Sequence, residues 1–276
     1  MMIRTSIAAL AIAAGSANAA LVRSFVASAD TPGDATWQNV GGNGSSANNF
    51  SFGTAVTPAT INDPLAPGVT AAYDISETGA IAGTQWSFFG QAGGGRANNA
   101  ANTFEVFFRM DDLSGDHIIL EIGGSGAGIS ISVQDSSLIW ASNPGGPNTG
   151  DTQSISTTIG LGWNYAAATW NRTTGLTSLY LNGSLIDTIA IDPDATGWVG
   201  GNEAGLGGLT SASVALTFDP ASLTDFDGAI SLFNYWNEEL SASAIQATYD
   251  ENFIIPAPGA ATLFAAAGLM ATRRRR

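Results

Sequence analysis

The sequence predicts an all-β chain folded as two stacked antiparallel sheets, with one short helix near the end of the folded region. Three observations carry this. Apolar and polar residues alternate at period two in segment after segment, as strands with one buried face do. Asn182-Gly183 separates two such segments, and Asn-Gly is the strongest short signal for a type I′ hairpin turn. Only Ser241–Tyr249 has helical spacing, with Ser241 placed to cap and Ile245 and Tyr249 on one face. Many short strands without intervening helices point to a sandwich.

The chain opens with Arg4, an apolar run from Ile7 to Ala14, and Ala17-Asn18-Ala19. This is the layout of a secretory signal peptide cut by signal peptidase after Ala19. From Gly41 to Gly95 the chain is rich in Gly, Asn and Ala, which predicts long loops between early edge strands. The alternation then becomes clean. Phe104, Val106, Phe108 and Met110 share one strand face, with Glu105, Phe107 and Arg109 opposite. Further strands follow at Ile118–Ile122, at Ile129–Val133, at Tyr165–Thr169, and on both sides of the Asn-Gly turn at Leu176–Leu181 and Ser184–Ile191. Late strands are expected near Val214–Phe218 and Gly228–Tyr235. No internal repeat or Pro/Ser-rich linker divides this region, so one domain over residues 20–253 is expected.

The C-terminus carries Pro256-Ala257-Pro258-Gly259, an apolar run from Ala260 to Ala271, and Arg273, Arg274, Arg275 and Arg276. The stretch 259–272 would span about 20 Å as a helix, against a hydrocarbon core of about 30 Å. A span that short suits a transient tag, and the arginines favour the cytoplasmic side. The three-part tail at 256–276 resembles the PEP-CTERM sorting signal of exopolysaccharide-producing Gram-negative bacteria, with Ala257 where that family has Glu. The resemblance implies transient inner-membrane insertion, cutting by an exosortase-like enzyme, and delivery to the cell envelope or extracellular matrix.

Cysteine and lysine are both absent, and all nine basic residues are Arg. Disulfides and thiolate metal sites are thereby excluded. Removing the five Arg of the two termini leaves four against 23 acidic residues, a net charge of −19. Such a body repels nucleic acid and anionic surfaces and suits divalent cations. Seven Trp and thirteen Phe provide a core that a disordered chain lacks.

A second resemblance rests on five pieces in order. They are Phe104-Glu105-Val106-Phe107-Phe108-Arg109, Trp163–Trp170, Leu179-Tyr180-Leu181-Asn182-Gly183, Gly205-Leu206-Gly207, and Phe226–Ile230 with Leu240-Ser241-Ala242. Together they resemble the laminin-G-like, concanavalin-A-like jelly-roll family over roughly residues 100–250. The resemblance implies a jelly-roll sandwich, a fold that carries lectins, glucanases, adhesive modules and structural domains alike.

Candidate sites follow from these residues. The glucanase branch uses Glu-x-Asp-x-x-Glu on one strand, and the chain has no such motif. Asp225 and Asp227 share a strand face but stand at a rim turn, and His117, the only histidine, enters a strand. No catalytic residue is therefore assigned. Asp111, Asp112 and Asp116 lie close together in one turn and offer hard oxygen ligands for calcium. Trp140 and Trp198 stand beside Gly/Pro-rich loops, where an indole face can stack on a sugar ring. The expectation is an exported, non-catalytic surface or matrix protein that binds extracellular polysaccharide or serves as a structural or adhesive module. A divergent polysaccharide hydrolase of the same fold is the alternative.

Overall fold

The alternating segments pair into two antiparallel sheets whose apolar faces meet. The computed structural model describes residues 21–41, 49–75, 81–83, 101–124, 127–143, 152–191, 204–209, 217, 219, 222–224 and 226–253. The early strands are β1 (Leu21–Val26), β2 (Asp34–Trp37), β3 (Phe50–Val56), β4 (Ala59–Thr60), β5 (Ala71–Asp74) and β6 (Ile81–Gly83). Longer ones follow: β7 (Ala101–Met110), β8 (Asp116–Gly124), β9 (Ala127–Gln134), β10 (Ser137–Asn143), β11 (Gln153–Thr158) and β12 (Gly162–Asn171). The last are β13 (Leu176–Leu181), β14 (Ser184–Ala190), β15 (Ala204–Leu206) and β16 (Gly228–Trp236), before helix α1 (Ala242–Phe253).

The first sheet runs β14-β13-β12-β7-β16-β5-β4, with β1 also paired to β16. The second runs β11-β10-β9-β8-β15-β6-β3-β2. β16 takes β5 at Ala229 and Ile230 and takes β1 from Leu232 to Trp236. A bulge between Ile230 and Leu232 separates the two stretches in the pairing with β7. Neighbours so distant in sequence, with every named strand paired antiparallel, give the jelly-roll-like sandwich that the sequence predicts.

Between the sheets lies one continuous core that includes Phe25, Trp37, Phe50, Phe104, Phe108, Ile131, Trp170 and Phe233, all buried. The alternation in β7 decides which side chains enter it. Phe104, Val106, Phe108 and Met110 face inward, while Phe107 belongs to a second cluster on the outer face.

That outer face is covered by α1. The Ser241 hydroxyl caps the helix by accepting the Ala244 N–H at 3.2 Å. Ile245, Tyr249 and Phe253 continue one face at i, i+4, i+8 and pack with Phe107 and Tyr165. The helix runs to Phe253, beyond the expected Tyr249, because the Phe253 ring stacks on Phe107 with centroids 5.3 Å apart. The hairpin turn forms as predicted. Asn182 and Gly183 have φ of 50° and 80°, and the Asn182 amide oxygen accepts the Tyr165 N–H at 2.9 Å.

Two expectations change. The stretch 41–95 contributes interior strands as well as loops, since β6 sits between β15 and β3, and β5 between β16 and β4. The strand expected at Val214–Phe218 falls largely outside the described residues. One contact sets a firm steric limit on β16. A Cβ at Gly228 would lie 1.9 Å from the Arg109 carbonyl oxygen and 2.9 Å from Phe226 Cζ. Gly228→Ala should therefore lower stability by more than about 2 kcal/mol, read as a fall in the urea midpoint. An unchanged midpoint would show that β7 and β16 can move apart freely.

Candidate functional site

The turn from β7 to β8 holds the three carboxylates expected to bind calcium, and each is engaged separately. Arg109 grips Asp111 in a fork, Nε donating to Oδ1 at 2.8 Å and one terminal nitrogen to Oδ2 at 2.6 Å. The same guanidinium lies over the Trp163 ring, 5.9 Å from its centroid. Asp112 turns back on Ser114, accepting its N–H at 2.9 Å and its hydroxyl at 2.6 Å. These hydrogen bonds hold its carboxyl below the usual range. Asp116 is buried and accepts the Ser222 hydroxyl, while its carbonyl accepts the Thr224 N–H. Among the described residues no three such side chains are grouped to hold a metal ion. The calcium expectation for Asp111, Asp112 and Asp116 is therefore corrected: one is paired to a cation, one caps its own turn, and one fastens a neighbouring segment.

The aromatic expectations fare differently. Trp140 is fully buried. Strand alternation puts it on the inner face of β10 with Leu138, where its Nε1–H donates to Thr177 Oγ1 at 2.9 Å. It ties the two sheets together and presents no face to a sugar. Trp198, the signal residues Ala17 and Ala19, and the tail residues Pro256, Ala257, Pro258 and Arg273–Arg276 lie outside the described residues. Asp225 does too, whereas the Asp227 carbonyl accepts the Asp111 N–H at 3.0 Å. His117 enters β8 as expected and is buried, its Nε2 2.9 Å from the Ser114 carbonyl and its Nδ1 3.2 Å from Thr224 Oγ1.

Two buried glutamates stand near the centres of the sheets, on opposite sides of the molecule. Phe104 and Val106 face the core, so Glu105 points out of the first sheet, beneath α1. There the Tyr165 hydroxyl donates to its Oε1, and Trp236 Nε1 and Asn234 Nδ2 donate to Oε2 at 2.6 and 3.2 Å. Leu120 and Ile122 face the core from β8, so Glu121 points out of the second sheet. The register places Glu121 in a row of small residues: Gly205, Glu121, Ser130, Ala141, Ser154. A second row runs from Ser132 through Ile139 to Ser156. Glu121, Ser130 and Ser132 are buried, and Ser154 and Ser156 at the β11 edge are exposed. The result is a strip of small, hydroxyl-bearing side chains that meets solvent at Ser154 and Ser156, with Glu121 buried within it. Sequence reasoning passed over it. Its only signal was a single acid between Leu120 and Ile122, with serines alternating in the next strand.

Burial drives the Glu105 carboxyl above its usual range, outweighing the hydrogen bonds from Tyr165, Trp236, Asn234 and Thr248 that favour its charged form. For a raised acid the fold favours the protonated form relative to the unfolded chain. Its contribution is complete below the unfolded carboxyl value of about 4.3 and is lost as pH rises through the native value. Glu105→Gln copies the neutral form, so its urea midpoint should gain on the wild type as pH rises above the unfolded carboxyl value of about 4.3. A gap that stays constant with pH would show that Glu105 is charged in the native state.

Against this geometry, the sequence model of the concanavalin A-like lectin/glucanase superfamily (Laminin_G_3) matches residues 90–246. Among solved structures, the chain is similar to the botulinum neurotoxin serotype D/C binding domain at 14% identity and TM-score 0.55, over 83% of this chain. It is also similar to the serotype G binding domain, at 15% identity and TM-score 0.51 over 84% of this chain. It spans 51% and 50% of those two domains, about half the length of each. At such identities the likeness establishes the fold alone. No curated protein matches the sequence. The five ordered sequence pieces, the two facing sheets and the family match agree: the chain belongs to the concanavalin A-like lectin/glucanase superfamily.

Proposed function

We propose that the chain is an exported, non-catalytic carbohydrate-binding module sorted to the cell envelope or extracellular matrix. The superfamily name covers both lectins and glucanases, so the choice depends on carboxylate placement. Glycoside cleavage needs two carboxyl groups about 5–9.5 Å apart across one bond. Glu105 and Glu121 are turned away from each other on the two outer faces, with sheets stacked about 10 Å apart between them. This opposed placement is the observation that favours binding over hydrolysis. Glu105 is also sealed beneath α1 and cannot meet a polysaccharide.

The β11 edge on the outer face of the second sheet suits sugar recognition. Ser154 and Ser156 are exposed there and offer hydroxyls as donors and acceptors to a sugar, whereas Glu121, Ser130 and Ser132 are buried. The mature domain is read as residues 20–253, freed by signal peptidase after Ala19. The PEP-CTERM-like tail at 256–276 is read as a temporary inner-membrane tag that an exosortase-like enzyme removes. Among the described residues no helix is long and apolar enough to cross a membrane, which leaves the tail as the segment to test.

Two measurements test this reading. In affinity electrophoresis through exopolysaccharide, the double variant Ser154→Arg/Ser156→Arg should bind at least about tenfold more weakly than the wild type. Undiminished retardation would remove the strip as the site. In mass spectrometry of the secreted protein, the chain should begin at Ala20 and lack Arg273–Arg276. A product that keeps those arginines would show that no sorting cut occurs.

A further inference from the structure

The loop joining β4 to β5 buries one side and exposes the other. Ala66 and Val69 are buried in a small cluster with Ala72, Trp163 and Ala229, against which Ile61 and Phe253 pack. Two consecutive turns hold the loop in shape, with the Ala66 N–H donating to the Asp63 carbonyl and the Val69 N–H to the Ala66 carbonyl. The Asp63 carboxylate is occupied within the loop, accepting the Leu65 N–H at 2.8 Å. Leu65 is left pointing outward and 79% exposed, with Pro64 beside it. Leu161, two residues before Trp163 of the same cluster, is 65% exposed.

Single exposed leucines are common and mean little alone. What distinguishes this one is where the loop is fastened. The Gly68 N–H donates to the Asn252 carbonyl at 2.8 Å, in the last turn of α1. A Cβ at Gly68 would lie 2.5 Å from the Asn252 Cα, so the contact is close backbone packing. Six residues, 254–259, separate the end of α1 from the apolar run that starts at Ala260. Fully extended they reach about 25 Å at most. A bilayer that receives the apolar run must therefore lie within that distance of Phe253, the neighbour of the residue that fastens the loop.

We propose that the loop 61–67, with Leu65 at its tip, is a lipid-contacting surface that rests on a zwitterionic bilayer while the C-terminal apolar run is inserted. This rests on the tail reading given above. One leucine with flanking prolines is too small to hold a domain on a membrane alone. Tethering by the tail raises its effective concentration at the surface, so it acts only in the uncut chain. The domain's net negative charge repels anionic headgroups and points to zwitterionic ones. The contact would fix the orientation of the domain and hold the 254–259 segment close to the membrane for the processing enzyme.

The absence of cysteine makes a clean test possible. Full-length chains carrying Leu65→Cys, Ala266→Cys or Leu185→Cys as the sole thiol are labelled with an environment-sensitive fluorophore. They are then reconstituted with phosphatidylcholine vesicles containing acyl-chain quenchers. Ala266 lies in the tail, and Leu185 is exposed on β14, at the opposite end of the first sheet from β4. The expected result is a blue shift and quenching at 65 and 266 with neither at 185. Quenching at 266 without 65 overturns the proposal and leaves the tail reading intact. No quenching at 266 overturns both. Quenching at 65 and 185 alike shows unspecific adsorption and also overturns it.

Discussion

The first sheet must bury both of its faces, and much else in the molecule follows from that requirement. Its inner face meets the second sheet, and its outer face meets α1. Strands β7, β12 and β16 consequently carry large side chains in both directions, with Phe104 and Phe108 inward and Phe107 and Tyr165 outward. A helix docked across the middle of a sheet removes that face from use by a ligand. The outer face of the second sheet carries smaller side chains instead, with Ser130, Ala141 and Ser154 in one cross-strand row.

Double burial also explains the unusual carboxyls. A strand that alternates faces cannot avoid placing some polar position under the helix, and Glu105 occupies one. Its cost is reduced by a hydroxyl, an indole and an amide that all donate to it. The same solution recurs at Asp30, which accepts the Tyr73 hydroxyl and the Gln38 N–H at 3.1 Å. Burial raises both carboxyls, and it raises both tyrosines as well. In an acidic domain without lysine, tyrosine takes the place that a basic partner would hold elsewhere.

Much of the fold was legible because each legible element carries its own local signal. The β13–β14 hairpin is written in Asn182-Gly183, the helix start in Ser241, and the inner face of β7 in its four alternating apolar residues. Other parts left no such mark. β10 is buried along nearly its whole length, so it shows no alternation. The turn before it uses Asp135 and Ser136 at φ of 43° and 69°, left-handed positions that Gly or Asn more often fills. β5 and β6 are short strands held in place by long-range pairing.

The candidate site divides along the same line. Adjacency in sequence suggested a shared role for Asp111, Asp112 and Asp116, but each side chain found a nearer partner within its own turn or the next segment. Trp140 stood beside a loop in sequence and proved to be a core residue, because strand parity, not loop proximity, sets where a side chain points. By itself the sequence determined the strand faces, the main hairpin, the helix cap and the charge of the surface, since these depend on residues close together in the chain. Which sheet is covered by the helix, which carboxylates are sealed, and which serines of β9 and β11 share a row were decided only by tertiary pairing. Register between distant strands is a property of the assembled sandwich and has no local signature.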